Sequence, residues 1–136
     1  MKKIILSTII LTSALVADIA VIVNPSSGVD SLNASQVKKI FLAKTKKFPN
    51  GKKVVVVDQN SENPEYATFY KKIAGKSVAK MNKYWVKLTF TGKAEAPKKV
   101  GGNSAVINAV KNDSKVIGYV DSSAVTDGVK VVYTVK

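Results

Sequence analysis

Six polar side chains that follow apolar runs are the candidates for binding a small anion. They are Ser26, Ser27, Asp58, Gln59, Asn60 and Ser61. Hydroxyl and amide groups beside the unpaired N–H groups of a helix N-terminus can hold phosphate or another oxyanion. The chain has 22 lysines and no arginine, so the counter-charge must come from lysine ammonium groups. The alternative is that these residues only form turns and helix caps, because a fold does not by itself imply a ligand.

The residues around Asp58, Gln59, Asn60 and Ser61 predict a strand, a polar connection and a helix. Val54–Val57 has no polar alternation, which indicates a strand buried on both faces, as in parallel sheets covered by helices. Asn63 is a good N-cap, Pro64 suits the first helical position, and Gly75 is expected to end the helix. This arrangement directs helix N–H groups towards the carboxyl edge of a sheet, where small ligands bind in open α/β folds.

Other apolar runs and caps predict the remaining elements. Strands are expected at Ile19–Val23, at Lys115–Asp121 and, at a sheet edge, at Val129–Val135. Helices are expected to start at a capping box, Asn33–Gln36, at a cap at Ser77, and at a cap at Asn103 or Ser104. Residues Ala94–Gly102 are expected to form a loop. Gly118, inside a strand, indicates that another part of the chain approaches closely.

The composition limits the possible chemistry. A chain of 136 residues is long enough for one ordinary domain. It contains no cysteine and no histidine, which excludes disulfides, cysteine nucleophiles and His-based triads, and no metal or other cofactor is expected. Acid–base catalysis by Asp58 with Glu62 or Glu65 is conceivable. Because no activated nucleophile or metal cluster accompanies these acids, we predict that the protein is not an enzyme.

The N-terminus has the pattern of a secretory signal peptide. Lys2 and Lys3 precede the apolar run Ile4–Val16, and Ala17 offers a small residue for cleavage. We therefore expect residues 1–17 to be a signal peptide and residues 18–136 to be one exported, periplasmic domain. An uncleaved anchor is the alternative.

Several segments together resemble the phosphate ABC transporter substrate-binding proteins, in particular short PstS-like members. They are Ile19–Pro25, Gln36–Lys44, Val57–Gln59, Phe69–Tyr70, Tyr84–Trp85, Phe90–Lys93 and Ile117–Asp121, and the match that they indicate extends over nearly all of the chain after residue 17. The resemblance implies an α/β fold, namely a single lobe of a type 2 periplasmic-binding protein with a mostly parallel sheet flanked by helices. It also implies binding of phosphate through hydroxyls, helix N–H groups, an Asp and an Arg, and an ABC permease or another envelope protein as partner.

The chain departs from this family pattern in the connection after the central strand. Asn60–Pro64 replaces a stretch rich in glycine and serine, and Tyr66 stands where many members carry an arginine. Glu62 and Glu65 favour the helix N-terminus but repel a phosphate. A single lobe also lacks a second lobe that would enclose the ligand and exclude water. We therefore expect weak affinity for the ligand unless two copies pair as a homodimer.

A lysine-rich helix face suggests a second function. Lys76, Lys80, Lys83 and Lys87 lie three or four residues apart and are expected to share one exposed face. This face could make the protein an envelope interaction module that has lost ligand binding and contacts a protein or an acidic polymer. A solvated helix face without a partner is the simpler explanation. Nucleic acid is not expected as a partner, because the sequence contains no recognised binding motif.

Overall fold

A computed structural model describes residues 18–136; the predicted signal peptide lies outside the described residues. The strands are β1 (Ile19–Val23), β2 (Val55–Gln59), β3 (Lys98–Val100), β4 (Val116–Asp121) and β5 (Lys130–Val135). The helices are α1 (Ala34–Phe41), α2 (Pro64–Ala74), α3 (Val78–Phe90) and α4 (Asn103–Asn112), and short 3-10 turns follow β1 and β4. None of the helices within residues 18–136 has the length and apolar character needed to cross a bilayer.

The five strands form one mixed sheet in the order β3-β2-β4-β1-β5. β2 pairs in parallel with β3 and β4, whereas β1 pairs antiparallel with β4 and β5. Four strands therefore run in one direction and β1 runs against them. The single-lobe α/β class is confirmed, but the expected mostly parallel pairing must be corrected, because the two antiparallel ladders are the longer ones. A strand buried on both faces has the same apolar run in either direction, so its sequence could not reveal this reversal.

Helices cover both faces of the sheet. On one face, α1, α2 and α3 enclose a core that includes Ile19, Val21 and Phe69. On the other face, α4 packs on a second core that includes Ala20 and Ile22. All five residues of β1 are buried, and alternate residues enter the two cores, as the period of a strand requires.

Most of the predicted helix ends are confirmed. Asn33 Oδ1 accepts a hydrogen bond from the Gln36 amide at 2.8 Å, and Gln36 Oε1 accepts one from the Asn33 amide at 2.8 Å, which completes the capping box. Ser77 Oγ accepts from the Lys80 amide at 3.2 Å. Gly75 ends α2 with φ +68°, a conformation that glycine adopts without strain.

Some details of the helix starts and of one loop differ from the sequence predictions. Asn63 is the N-cap of α2, but its side chain does not bond to the first turn. Helix α4 begins at Asn103 with Gly102 as its N-cap, so the predicted cap at Asn103 or Ser104 is one or two residues late. The predicted loop Ala94–Gly102 contains β3, a three-residue strand too short to give a periodic pattern.

Candidate functional site

Two helices begin side by side at the carboxyl edge of the sheet. Because β2 and β3 are parallel, both end at this edge, and α2 and α4 start there. The Asn60 amide donates to the Val100 carbonyl at 3.2 Å, which ties the connection after β2 to the end of β3. The Asp121 amide at the end of β4 donates to Asn103 Oδ1 at 3.2 Å. The fold thus gathers three strand ends and two helix N-termini in one place.

Asp58 points into the protein interior. Its side chain is completely buried. Oδ1 accepts hydrogen bonds from the Tyr119 hydroxyl at 2.5 Å and the Gln59 amide at 2.9 Å, and Oδ2 accepts one from the Tyr70 hydroxyl at 2.6 Å. Burial raises the pKa of Asp58 above its usual value, although these bonds and the charge of Lys99 act in the opposite direction. The carboxyl group therefore serves the core and is not presented to solvent as a ligand contact.

Tyr66 completes this buried polar cluster. Its ring lies 4.8 Å from that of Tyr70, and the Lys99 ammonium lies 5.3 Å from the ring centre of Tyr66. Among the described residues, the Tyr66 hydroxyl has no hydrogen-bond partner. Burial, helped by the charge of Asp58, raises the pKa of Tyr66 to about 12. The position at which the family resemblance expects an arginine is thus part of the core.

A chain of amide side chains closes the edge between the two helices. Gln59 Nε2 donates to the Tyr119 carbonyl at 2.9 Å and to Asn103 Oδ1 at 3.1 Å. Asn63 Nδ2 donates to Gln59 Oε1 at 3.1 Å and to the Gly101 carbonyl at 3.0 Å. Gln59 is completely buried, so these bonds satisfy its polar atoms inside the protein. The sequence did not indicate Asn103 as a member of the site, because a polar residue at a helix start is ordinarily a cap.

The first turn of α2 contributes a carboxylate to the same place. Asn103 Nδ2 donates to Glu65 Oε2 at 3.3 Å. A negative charge at a helix N-terminus is favourable. Glu65 lies next to the N-termini of both α2 and α4. Of the four candidates in this connection, Asn60 is exposed and Ser61 is half-buried, whereas Asp58 and Gln59 are enclosed. Asn60 and Ser61 are therefore the two that solvent reaches.

Ser26 and Ser27 lie at the opposite edge of the sheet. They follow the C-terminal end of β1, which runs against β2 and β4 and places Val23 opposite Ile117. A five-residue strand spans about 16 Å, so these serines and Asp58–Ser61 cannot contact the same small ion. Ser26 is exposed, and Ser27 Oγ is used by the Val29 amide at 3.2 Å. The six sequence candidates thus occupy two places.

Comparisons with known proteins identify the fold. No protein-family model matches the chain, and no curated protein matches it. Among solved structures, one from Clostridium perfringens, assigned as a phosphate ABC transporter substrate-binding protein with bound phosphate, is 20% identical with a TM-score of 0.68, over 86% of this chain and 45% of that chain. An ABC-type phosphate transport receptor from Vibrio cholerae is 17% identical with a TM-score of 0.67, over 86% of this chain and 46% of that chain.

PstS from Borrelia burgdorferi is similar in the same way, at 14% identity and a TM-score of 0.60, over 84% of this chain and 46% of that chain. The chain spans less than half the length of each of these proteins. The resemblance noted in the sequence is confirmed at the level of the fold. The chain has the α/β fold that forms part of the phosphate ABC transporter substrate-binding proteins.

Proposed function

We propose that this protein binds a small oxyanion, with phosphate as the reference ligand, at the carboxyl edge between the starts of α2 and α4. We further propose that it is exported and acts in solute transport like the proteins whose fold it shares. The observation that carries the proposal is the pair of adjacent helix N-termini, neither of which is capped by a side chain.

The start of α4 supplies the clearest donors. The first backbone hydrogen bond of this helix runs from the Val106 amide to the Gly102 carbonyl at 3.0 Å. The amides of Asn103, Ser104 and Ala105 precede that bond and have no acceptor within the helix. With the helix dipole, such amides favour an anion. Asn60 and Ser61 can add side-chain donors from the neighbouring connection.

The charges around this edge set the expected affinity. Lys98 and Lys99 are exposed on β3 and supply positive charge. Glu65 opposes an incoming anion, and so does Glu62 in the exposed connection. One like charge at short range costs on the order of 1 kcal/mol in a solvated site. We therefore expect a dissociation constant in the millimolar range, about −4 kcal/mol.

A second wall would complete a binding cleft like that of the solved structures with this fold. The solved structures with this fold are more than twice as long as the matched region, so the chain supplies one wall of a comparable cleft. A second copy of the chain or an envelope protein such as a permease could supply the other wall. Enclosure of the ligand by both walls would exclude water and raise the affinity.

A titration followed by ¹⁵N NMR tests the proposal. The chain beginning at Asp18 is suitable, because both cores lie within residues 18–136. Millimolar phosphate or sulfate should cause saturable shifts in the amides of residues 60–66 and 102–105, and chloride at matched ionic strength should not. Shifts that follow ionic strength alone, or that lie elsewhere, would contradict the proposal.

Two matched variants sharpen the test. Glu65→Gln keeps an oxygen for Asn103 but removes the charge, and it should tighten phosphate binding about fivefold. Glu95→Gln removes the same charge from an exposed loop outside the site and should leave the affinity unchanged. Equal effects of the two variants would mean that only the net charge of the protein matters.

Export is tested separately, by the N-terminal sequence of the protein recovered outside the cytoplasm, which should begin at Asp18.

One observation favours the alternative function, an envelope interaction module without a small ligand. Gln59, Asn63, Asn103 and Glu65 already satisfy one another across the proposed site. If no saturable shifts occur with any oxyanion, this network is a scaffold, and the exposed lysines of α3 become the main candidates for contact with a partner.

A further inference from the structure

Helix α3 exposes two large apolar side chains near its C-terminal end. Phe90 is 91% exposed and Val86 is 68% exposed. They are four residues apart and so lie next to each other on the helix surface. The same helix is held to the core by Met81 and Trp85, which are buried, so the exposed pair is not needed for packing. Adjacent exposed apolar groups with charged residues around them can serve as an interaction surface.

Lysines from two segments surround this apolar pair. Lys83 and Lys87 lie one turn before Val86 and Phe90 on α3, and both are exposed. A cleft next to the end of α3 has three more lysines and one acid, Glu95, in its lining: Lys46, Lys53 and Lys93. We call Val86, Phe90 and these five lysines the α3-end surface. Its charge is strongly positive on balance.

None of these lysines forms an ion pair within residues 18–136. In the described part of the chain, the ion pairs are Lys115 with Asp113 and Lys130 with Asp30. Neither belongs to the α3-end surface. An external partner with negative charge would therefore be attracted to this surface without breaking an internal pair.

We propose that the α3-end surface binds a layer of anionic lipid headgroups. Phe90 and Val86 would enter the boundary between headgroups and acyl chains, and the lysines would contact lipid phosphates, as in peripheral proteins that lie on a membrane. A lipid layer fits better than an acidic protein for a geometric reason. Phe90 is almost fully exposed and protrudes from the helix, and a fluid layer can adapt to lysines that come from separate segments.

This placement also fixes the orientation of the domain. The cleft beside α3 is lined by Val54 and Val55, at the start of β2. The oxyanion site proposed above lies at the opposite end of β2. A domain bound through the α3-end surface would therefore present its carboxyl edge away from the membrane. The lipid proposal does not depend on whether that edge binds an oxyanion.

Vesicle binding tests the proposal directly. The chain beginning at Asp18 is mixed with vesicles of phosphatidylcholine alone or with added phosphatidylglycerol, and bound protein is separated by flotation. Binding is expected only to the anionic vesicles and should weaken at high salt. Trp85, the only tryptophan of the chain, adjoins Val86 and Phe90. Its fluorescence should be quenched by brominated lipid, which places the contact at this end of α3.

Variants separate the two contributions. Phe90→Ser should weaken partitioning about tenfold through lost apolar burial. Lys83→Gln with Lys87→Gln should weaken it about twenty-fivefold, because each lysine near an anionic surface accounts for about a fivefold effect. Lys111→Gln with Lys136→Gln removes the same charge from exposed positions outside this surface and should change partitioning less than threefold.

Three results would overturn the proposal. The first is absence of binding to anionic vesicles by a protein whose circular dichroism shows it to be folded. The second is an equal effect of the two lysine pairs, or no effect of Phe90→Ser, because binding would then reflect net charge alone. The third is binding to polyglutamate as tight as to the vesicles, which would identify an acidic polymer as the occupant.

Discussion

Replacing Gly118 with alanine should destabilise the protein by forcing α4 away from the sheet. A Cβ atom at this position would lie 2.5 Å from Cγ1 of Val106 and 3.5 Å from the carbonyl oxygen of Val57. Carbon atoms in good contact are about 3.5–4.0 Å apart, so Val106 must move by about 1 Å. Overpacking of this kind costs about 1–3 kcal/mol. The displacement would also shift Asn103 on α4, and with it the start of the proposed anion site.

A second substitution tests whether this contact is the cause. Val106→Ala alone removes two methyl groups from a buried side chain and should cost about 2 kcal/mol. In the double variant, the new methyl group of residue 118 occupies space that Val106 has vacated. The combined cost should therefore be at least about 1 kcal/mol smaller than the sum of the single costs.

Urea unfolding, followed by the fluorescence of the buried Trp85, measures these free energies. Gly101→Ala is the matched control, because no atom lies within 4 Å of its added Cβ and its backbone is not left-handed. The control should stay within about 0.5 kcal/mol of the wild type. Additive costs in the double variant, or a Gly118→Ala effect no larger than the control, would refute the assigned contact.

Three further predictions concern single side chains, and each is measured by the same unfolding assay. The raised pKa of Asp58 means that the stability contribution of this group is greatest below the usual aspartate pKa and is lost as pH rises through its folded pKa. Wild type should therefore gain stability relative to Asp58→Asn as pH falls from neutral towards the usual aspartate pKa, and a difference independent of pH would contradict this. Tyr66→Phe removes a buried hydroxyl that has no hydrogen-bond partner within residues 18–136, and it should be neutral or stabilising by up to about 1 kcal/mol. Tyr70→Phe breaks a bond to Asp58 and should cost about 1–2 kcal/mol. The reverse order would show that Tyr66 has a partner. Asn33→Ala removes one side of the capping box and should cost about 1 kcal/mol, and no loss would mean that α1 does not depend on its cap.

Local signals in the sequence were sufficient where a structure depends on neighbouring residues. The capping box at Asn33, the proline at the start of α2 and the glycine at its end were all predicted in their observed positions. Each depends on contacts within a few residues, so the sequence contains the whole cause. The close approach at Gly118 was also predicted, although its partner on α4 was not.

The candidate residues lie where they do because of pairings between distant segments. The sequence placed the end of the central strand at Val57, whereas β2 continues to Gln59 because Asp58 pairs with Lys99 and Gln59 with Val100 on β3. Since β3 was predicted to be a loop, nothing in the local pattern indicated that these two polar residues remain in the sheet. As strand residues they are buried and bonded inside, and the exposed part of the connection begins only at Asn60.

The position of Ser26 and Ser27 has the same kind of cause. A turn that follows a strand lies at the ligand-binding edge only if that strand runs in the same direction as the others. β1 is inserted between β4 and β5 and runs against both, so the turn after it emerges at the other edge. Its direction is fixed by partners about one hundred residues later in the chain. A strand of five fully buried residues has no side-chain alternation that could reveal this direction, so only the pairing could separate the two groups of candidates.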